Sequence, residues 1–428
     1  MKKQTTFILV TVIITYLIIE MFTGIVLYFI SERKFWWDFA LNNKTQLIPE
    51  KLAKEDIVLP PWLVRNDEKQ LIHPYLGFIN NPAQMESTRF GFTDNKSPLQ
   101  KKSQGKIIVG IFGGSAAEIF AQFGKQALKE QLQKYPKFTG KEIVVLNLAI
   151  GGYKQPQQLI ALNYILALGG EFDIVISLDG FNEVVLPVID NLPHGVNPFF
   201  PCRWDLKVKS DVITEKEIVL LSEIIRLKQL KKKLADFYAK GLLRYSPTVC
   251  LIVQRLYINA EINTAKKRTA LFDLPRVAEN KSVVACGPEF SYETNQELFK
   301  ELTSVWIKGS VFMHNLCKNN GIEYFHFLQP CQYLPEAKIM TDAERKIAFN
   351  EKARHRQAVI DGYPYLIKAV EQLKQKGIIS QDLTKVFLDH PEPIYIDDFC
   401  HFGQAGSQII ADVVAKTIIQ KLEKQYSD

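Results

Sequence analysis

The sequence holds no Cys-x-x-Cys pair, no internal repeat and no low-complexity tract. Its six cysteines (Cys202, Cys250, Cys286, Cys317, Cys331 and Cys400) lie far apart, which argues against a thiolate zinc site or a redox pair of that spacing. They do not fix the compartment, because a chain of 428 residues, 47% of them hydrophobic, builds a large core without disulfides. The net charge of +7 is mildly basic and spread along the chain, with the basic residues mostly among acidic ones. No RNA- or DNA-binding signature accompanies it, so nucleic acid is not an expected partner. The signature Gly-x-Ser-x-Gly is missing too, since Ala117 stands where Ser115 would need the final glycine.

One long apolar run is present. Thr6 to Ile30 reads TFILVTVIITYLIIEMFTGIVLYFI. As a helix it is about 37 Å long, enough for a hydrocarbon core of about 30 Å with some tilt. Glu20 is its one charge, at a cost of about 2–3 kcal/mol in mid-bilayer. The run is too long for a signal peptide, and Ser31-Glu32-Arg33-Lys34 is no small-residue cleavage site. Residues 1–30 are therefore expected to be an uncleaved transmembrane anchor. Lys2 and Lys3 on one side nearly balance Arg33 and Lys34 on the other, so the positive-inside rule gives no orientation. Residues 31–99 read as an ordered lead-in, packed on the main domain through His73-Pro74-Tyr75-Leu76-Gly77-Phe78, with His73 structural.

From residue 100 onward strands and helices alternate. Ile107 to Phe112, Ile143 to Leu148 and Asp173 to Leu178 are short apolar runs suited to buried parallel strands. Helices are expected at Ala116–Lys134 and Gln155–Leu168. After an interruption from about 184 to 290, a helix near Thr294–Asn319 precedes a strand at Ile322–Leu328. A long helix around Ala343–Lys376 precedes a strand near Ile378–Thr384, and a last helix covers Gln404–Lys424. The expected fold is α/β: a doubly wound, flavodoxin-like parallel sheet of about five strands with helices on both faces. The interruption holds a basic amphipathic helix, with Leu220, Ile224, Leu227, Leu230, Leu234 and Phe237 on one face and Lys231-Lys232-Lys233 near the other. A solvated face is its plainest reading; a lid or a surface lying on anionic lipid is the alternative.

In such a sheet ligands sit beyond the carboxyl ends of the strands. Those ends carry Gly113-Gly114-Ser115, Gly151-Gly152 and Gly180-Phe181-Asn182-Glu183, and the last helix is preceded by Asp398-Phe399-Cys400-His401. A serine hydroxyl needs a base, the base needs a carboxylate, and a tetrahedral intermediate needs donors. Ser115, His401 and Asp398 fit the first three roles; the N–H groups of Ser115 and Gly152 and the side chain of Asn182 fit the last. Of the other histidines only His326 has an acid three residues before it, Glu323, and in a strand those two point to opposite faces. His314, His355 and His390 read as structural.

These four blocks resemble the SGNH or GDSL hydrolases. Phe112-Gly113-Gly114-Ser115 looks like the first block, Asn147 to Tyr153 the second, Gly180-Phe181-Asn182-Glu183 the third and Asp398-Phe399-Cys400-His401 the last. The resemblance spans roughly Lys106 to Lys424. It departs from the family where Gly114 replaces Asp and where Glu183 stands in place of the commoner Asp. It implies that Ser115 is the nucleophile, that Asp398 and His401 supply acid and base, that Gly152 and Asn182 build an oxyanion hole, and that no metal or other cofactor is needed. It also implies an acyl- or acetylesterase on an acylated carbohydrate or lipid of the cell envelope, with its catalytic domain outside the cytoplasm. An O-acyltransferase would use the same residues. A catalytically inactive membrane-tethered binding module is disfavoured by the intact blocks.

Overall fold

The computed structural model of the chain describes residues 2–30, 70–83, 88–208, 215–240, 245–272 and 283–424. Residues 31–69 of the expected lead-in lie outside the described residues. The main elements are α1 (Lys2–Ile30), β1 (Gln70–His73), β2 (Gly77–Asn80), β3 (Lys106–Gly113), α2 (Ser115–Gln133), β4 (Glu142–Asn147), α3 (Gln157–Ala167), β5 (Ile174–Asp179) and α4 (Phe181–Leu186). There follow α5 (Glu215–Lys240), α6 (Pro247–Phe272), α7 (Asn295–Asn319), β6 (Glu323–Leu328), α8 (Asp342–Ala348), α9 (Arg356–Gln375), β7 (Ile379–Asp382) and α10 (Gln404–Lys424). They form two compact units, one of residues 66–210 and 278–428, the other of 1–65 and 211–277.

The larger unit is built on a five-stranded sheet in the order β4-β3-β5-β6-β7, parallel throughout. The continuous apolar runs of β3, β4 and β5 are buried, as strands covered on both faces must be. Alternate side chains feed two cores. Ile108, Phe112 and Val175 pack with Leu162 of α3, Trp306 of α7 and Leu366 of α9. Val109, Ile111 and Ile176 pack with Phe120 of α2 and Val414 of α10. The hairpin β1–β2 joins the first core through Leu76 and Phe78.

Two expectations are corrected. The long helix around Ala343–Lys376 is two helices, α8 and α9. Phe349 turns extended and packs on Tyr333, and the side chain of Asn350 accepts the N–H of Lys352, which starts a turn instead of continuing the helix. The interruption is not one piece either. Residues 184–208 and 283–290 pack in the larger unit, whereas α5 and α6 pair antiparallel in the other, joined by Glu223–Lys267 and Lys231–Glu261 ion pairs. In that smaller unit α1 is long and apolar enough to cross a membrane, with mean hydropathy 2.2 over Val10–Phe29. Its one internal charge is partnered: Glu20 accepts hydrogen bonds from the Ser246 hydroxyl and the Thr248 N–H at the start of α6. Leu27 packs with Cys250 and Val253 one helical turn and more along.

Candidate active site

The strand-to-helix turn after β3 sets out Ser115. Gly113, at φ +154°, lies so close to the Leu178 carbonyl of β5 that a Cβ would collide with it. Gly114 has the same requirement for another reason: a Cβ there would strike Nδ2 of Asn182. The missing side chain at 114 thus makes room for the asparagine amide directly beside the serine turn. Ser115 is the first residue of α2, so its N–H is one of the orphan donors of a helix start.

Facing it is the loop 394–403. An isolated bridge between Tyr395 and Phe402 closes its base, with Ile396 N–H donating to the His401 carbonyl. The buried carboxylate of Glu344 accepts the N–H groups of Ile394 and Tyr395, both at 2.8 Å. Gln332, in the segment after β6, donates to the Asp397 carbonyl at 2.9 Å. Cys400 adopts the left-handed region, φ +62°, and this reversal brings the His401 ring back over residue 397.

The outcome is a continuous line of hydrogen bonds. The Ser115 hydroxyl lies 2.7 Å from Nε2 of His401, and Nδ1 of His401 lies 2.6 Å from Oδ2 of Asp397. With Nδ1–H donated to the carboxylate, Nε2 is left to accept the serine proton. The three side chains are partly buried.

The carboxylate is Asp397 and not Asp398, which corrects the spacing read from the sequence. The other oxygen of Asp397 accepts the Phe399 N–H at 2.7 Å, an Asx-type turn that folds the side chain towards His401. Asp398 takes part through its backbone: its carbonyl accepts from Nε2 of His355 at 2.6 Å. His355 is held among the rings of Phe181, Tyr333 and Phe399, and burial lowers its pKa. It supports the loop from behind, as a structural histidine.

Gly152 lies in the loop after β4 with φ +89°. Asn182 sits in the first turn of α4, and one of its amide hydrogens goes to the Tyr153 carbonyl at 2.7 Å. An amide nitrogen carries two hydrogens, so a second remains on the side of Gly114 and Ser115. Glu183, wholly buried, ties the two loops together: it accepts from Gly180 N–H at 2.8 Å, from Gln155 N–H at 3.2 Å and from the Gln158 amide at 3.0 Å. Burial, and then the charge of Asp179, push its carboxyl up to about 8. His326 is a core residue, as its strand position implies: it bonds Asp179 at 2.8 Å and Ser310 at 2.7 Å.

The structure therefore gathers Ser115, His401 and Asn182 where the sequence put them, replaces Asp398 by Asp397, and adds Glu344 and Gln332 as supports of the loop. Asp397 was legible only as a second acid, four residues before His401; nothing in one dimension ranks it above Asp398. Among the described residues no group of three or more His, Cys, Asp or Glu side chains is placed to hold a metal ion. No family model matches the chain, and no curated protein is found similar to it.

Proposed function

We propose that the chain is a membrane-anchored serine ester hydrolase of the SGNH type, acting on an acylated carbohydrate or lipid of the cell envelope. The observation that carries the proposal is the Ser115–His401–Asp397 line, with separations of 2.7 and 2.6 Å, opposite the amide of Asn182. In this reading His401 takes the hydroxyl proton as Ser115 attacks the ester carbonyl. Asp397 holds the imidazole in the Nδ1–H tautomer and stabilises the imidazolium. The developing oxyanion meets the N–H groups of Ser115 and Gly152 and the free amide hydrogen of Asn182. His401 then returns the proton to the departing alkoxide, and water repeats the cycle on the acyl-enzyme.

The sheet order supports the same reading. Counting only the strands of the sheet, it runs 2-1-3-4-5, the flavodoxin-like arrangement, in which ligands bind where successive connections leave to opposite sides. Ser115 follows the first of these strands, at that switch point. We place the catalytic domain outside the cytoplasm, with α1 as the anchor, because the expected substrates belong to the envelope.

A fluorophosphonate probe tests the nucleophile. It should label the full-length protein in detergent and fail to label Ser115→Ala. A panel of p-nitrophenyl esters then sorts the substrate: acetate preference points to carbohydrate deacetylation, long-chain preference to lipid. Full esterase activity in Ser115→Ala would overturn the serine mechanism.

A further inference from the structure

Folding brings one pair of cysteines together. Cys331 lies in the segment after β6 and Cys400 in the loop before α10, 69 positions apart, yet their sulfurs are 2.7 Å from each other. Neither has any exposed surface. A thiol is a weak donor and a weak acceptor, so two neutral thiols gain little by such an approach. A disulfide needs its sulfurs at about 2.05 Å, a small further step.

The location gives the contact a consequence. Cys400 immediately precedes His401, and its left-handed backbone produces the turn that aims the ring. Cys331 immediately precedes Gln332, whose amide holds the Asp397 carbonyl. Two neighbouring residues of one segment thus grip two points of the loop that presents Asp397 and His401. That loop has only one isolated bridge of its own, and a catalytic constellation needs its supports fixed to a fraction of an ångström.

We propose that a disulfide joins Cys331 and Cys400 in the mature protein and fixes the loop of His401 to the end of the sheet. It forms by exchange with a disulfide oxidant such as oxidised glutathione. One cysteine thiolate attacks the oxidant, releasing one thiol and leaving a mixed disulfide. The second cysteine thiolate displaces the remaining thiol, so two thiol hydrogens pass to the reduced oxidant. Both sulfurs are sealed in the folded protein, so exchange takes place while the loops are still closing. Persistence in the cell rests on the proposed placement outside the cytoplasm, where disulfides survive. Formation in a defined redox buffer does not rest on it.

The test is cell-free synthesis of the full-length chain into detergent micelles, in glutathione buffers ranging from fully reduced to oxidising. Samples are acid-quenched, alkylated under denaturing conditions and mapped by peptide mass spectrometry. In oxidising buffer the Cys331 and Cys400 peptides should appear as one species, two hydrogens lighter than their sum, with the other four cysteines alkylated. The oxidised protein should melt roughly 4–10 °C above the reduced one, a difference that Cys331→Ala and Cys331→Ser should each abolish. Alkylation of both cysteines at every buffer ratio, or pairing of either with another cysteine, overturns the proposal. Identical melting of oxidised and reduced protein overturns the fixing of the loop. The mapping reads no activity, so failure of the esterase reading and failure of the disulfide are separate results.

Discussion

Asp397 and Asp398 are adjacent in sequence and part company at their side chains. The first turns its carboxylate to His401, and the second lends only a backbone carbonyl, to His355. Substitution separates them. Asp397→Asn should keep the fold, favour the wrong imidazole tautomer and lower kcat by up to roughly 10⁴. Asp398→Asn keeps the carbonyl that is used and should stay close to wild type. Asn182→Ala removes the proposed oxyanion donor and should cost about 10²–10³ in kcat with little change in KM, because such a donor acts on charge present only in the transition state. Steady-state kinetics on a chromogenic ester check all three. Equal losses at 397 and 398 would break the assignment.

At the scale of elements, the short helix α4 is positioned by a carboxyl group that folding has removed from water. Glu183 bonds its own helix start and the Gln155 loop after β4, and so sets the distance between Asn182 and Gly152. Beside that loop Lys154, also fully buried, donates to the carbonyls of Pro198 and Phe200, and burial lowers its pKa to about 8. The two shifts act in different windows. Glu183 is raised from 4.5 to about 8, so the folded state holds its proton where the unfolded chain has lost it. Its contribution is present in full below about 4.5 and is lost as pH rises towards 8. Lys154 is lowered from 10.5 to about 8. Its contribution is present above 10.5 and is lost as pH falls towards 8, so it does not alter the slope below that value. Glu183 should therefore lower the melting temperature progressively between pH 5 and 8, against the opposite slope of His355, whose pKa burial lowers and which adds stability as pH rises through the ordinary imidazole range; Glu183→Gln should remove the Glu183 part of the slope. A variant with the wild-type slope would locate the titrating group elsewhere.

For the whole molecule, the outward-facing apolar surface of α1 and the capture of its only internal charge by α6 agree with a membrane-spanning helix. The full-length protein should remain with membranes through high-salt and carbonate washes. Deleting residues 1–30 should release it with the proposed esterase activity retained, since the candidate site lies in residues 66–210 and 278–428. The same deletion strips α6 of the Leu27, Thr23 and Glu20 contacts, so α5 and α6 should become more sensitive to protease. A soluble full-length protein shortened at its N-terminus would mean a cleaved leader.

Continuous apolar runs located β3, β4 and β5, because a strand buried on both faces is apolar throughout and the glycines after it allow close approach. The ends of those strands marked Ser115 and Asn182, and His401 stood out just before the last helix. The carboxylate was different in kind. Asp397 and Asp398 sit in a loop with no period, and the choice between them rests on a left-handed Cys400 and on the grip of Glu344 and Gln332, residues 50 or more positions away. The role of Gly114 was equally hidden, because it answers to the amide of Asn182 across the sheet. Local pattern reports what one element needs in order to be buried; which side chains then meet is decided by contacts distant in sequence, and those exist only once the chain has folded.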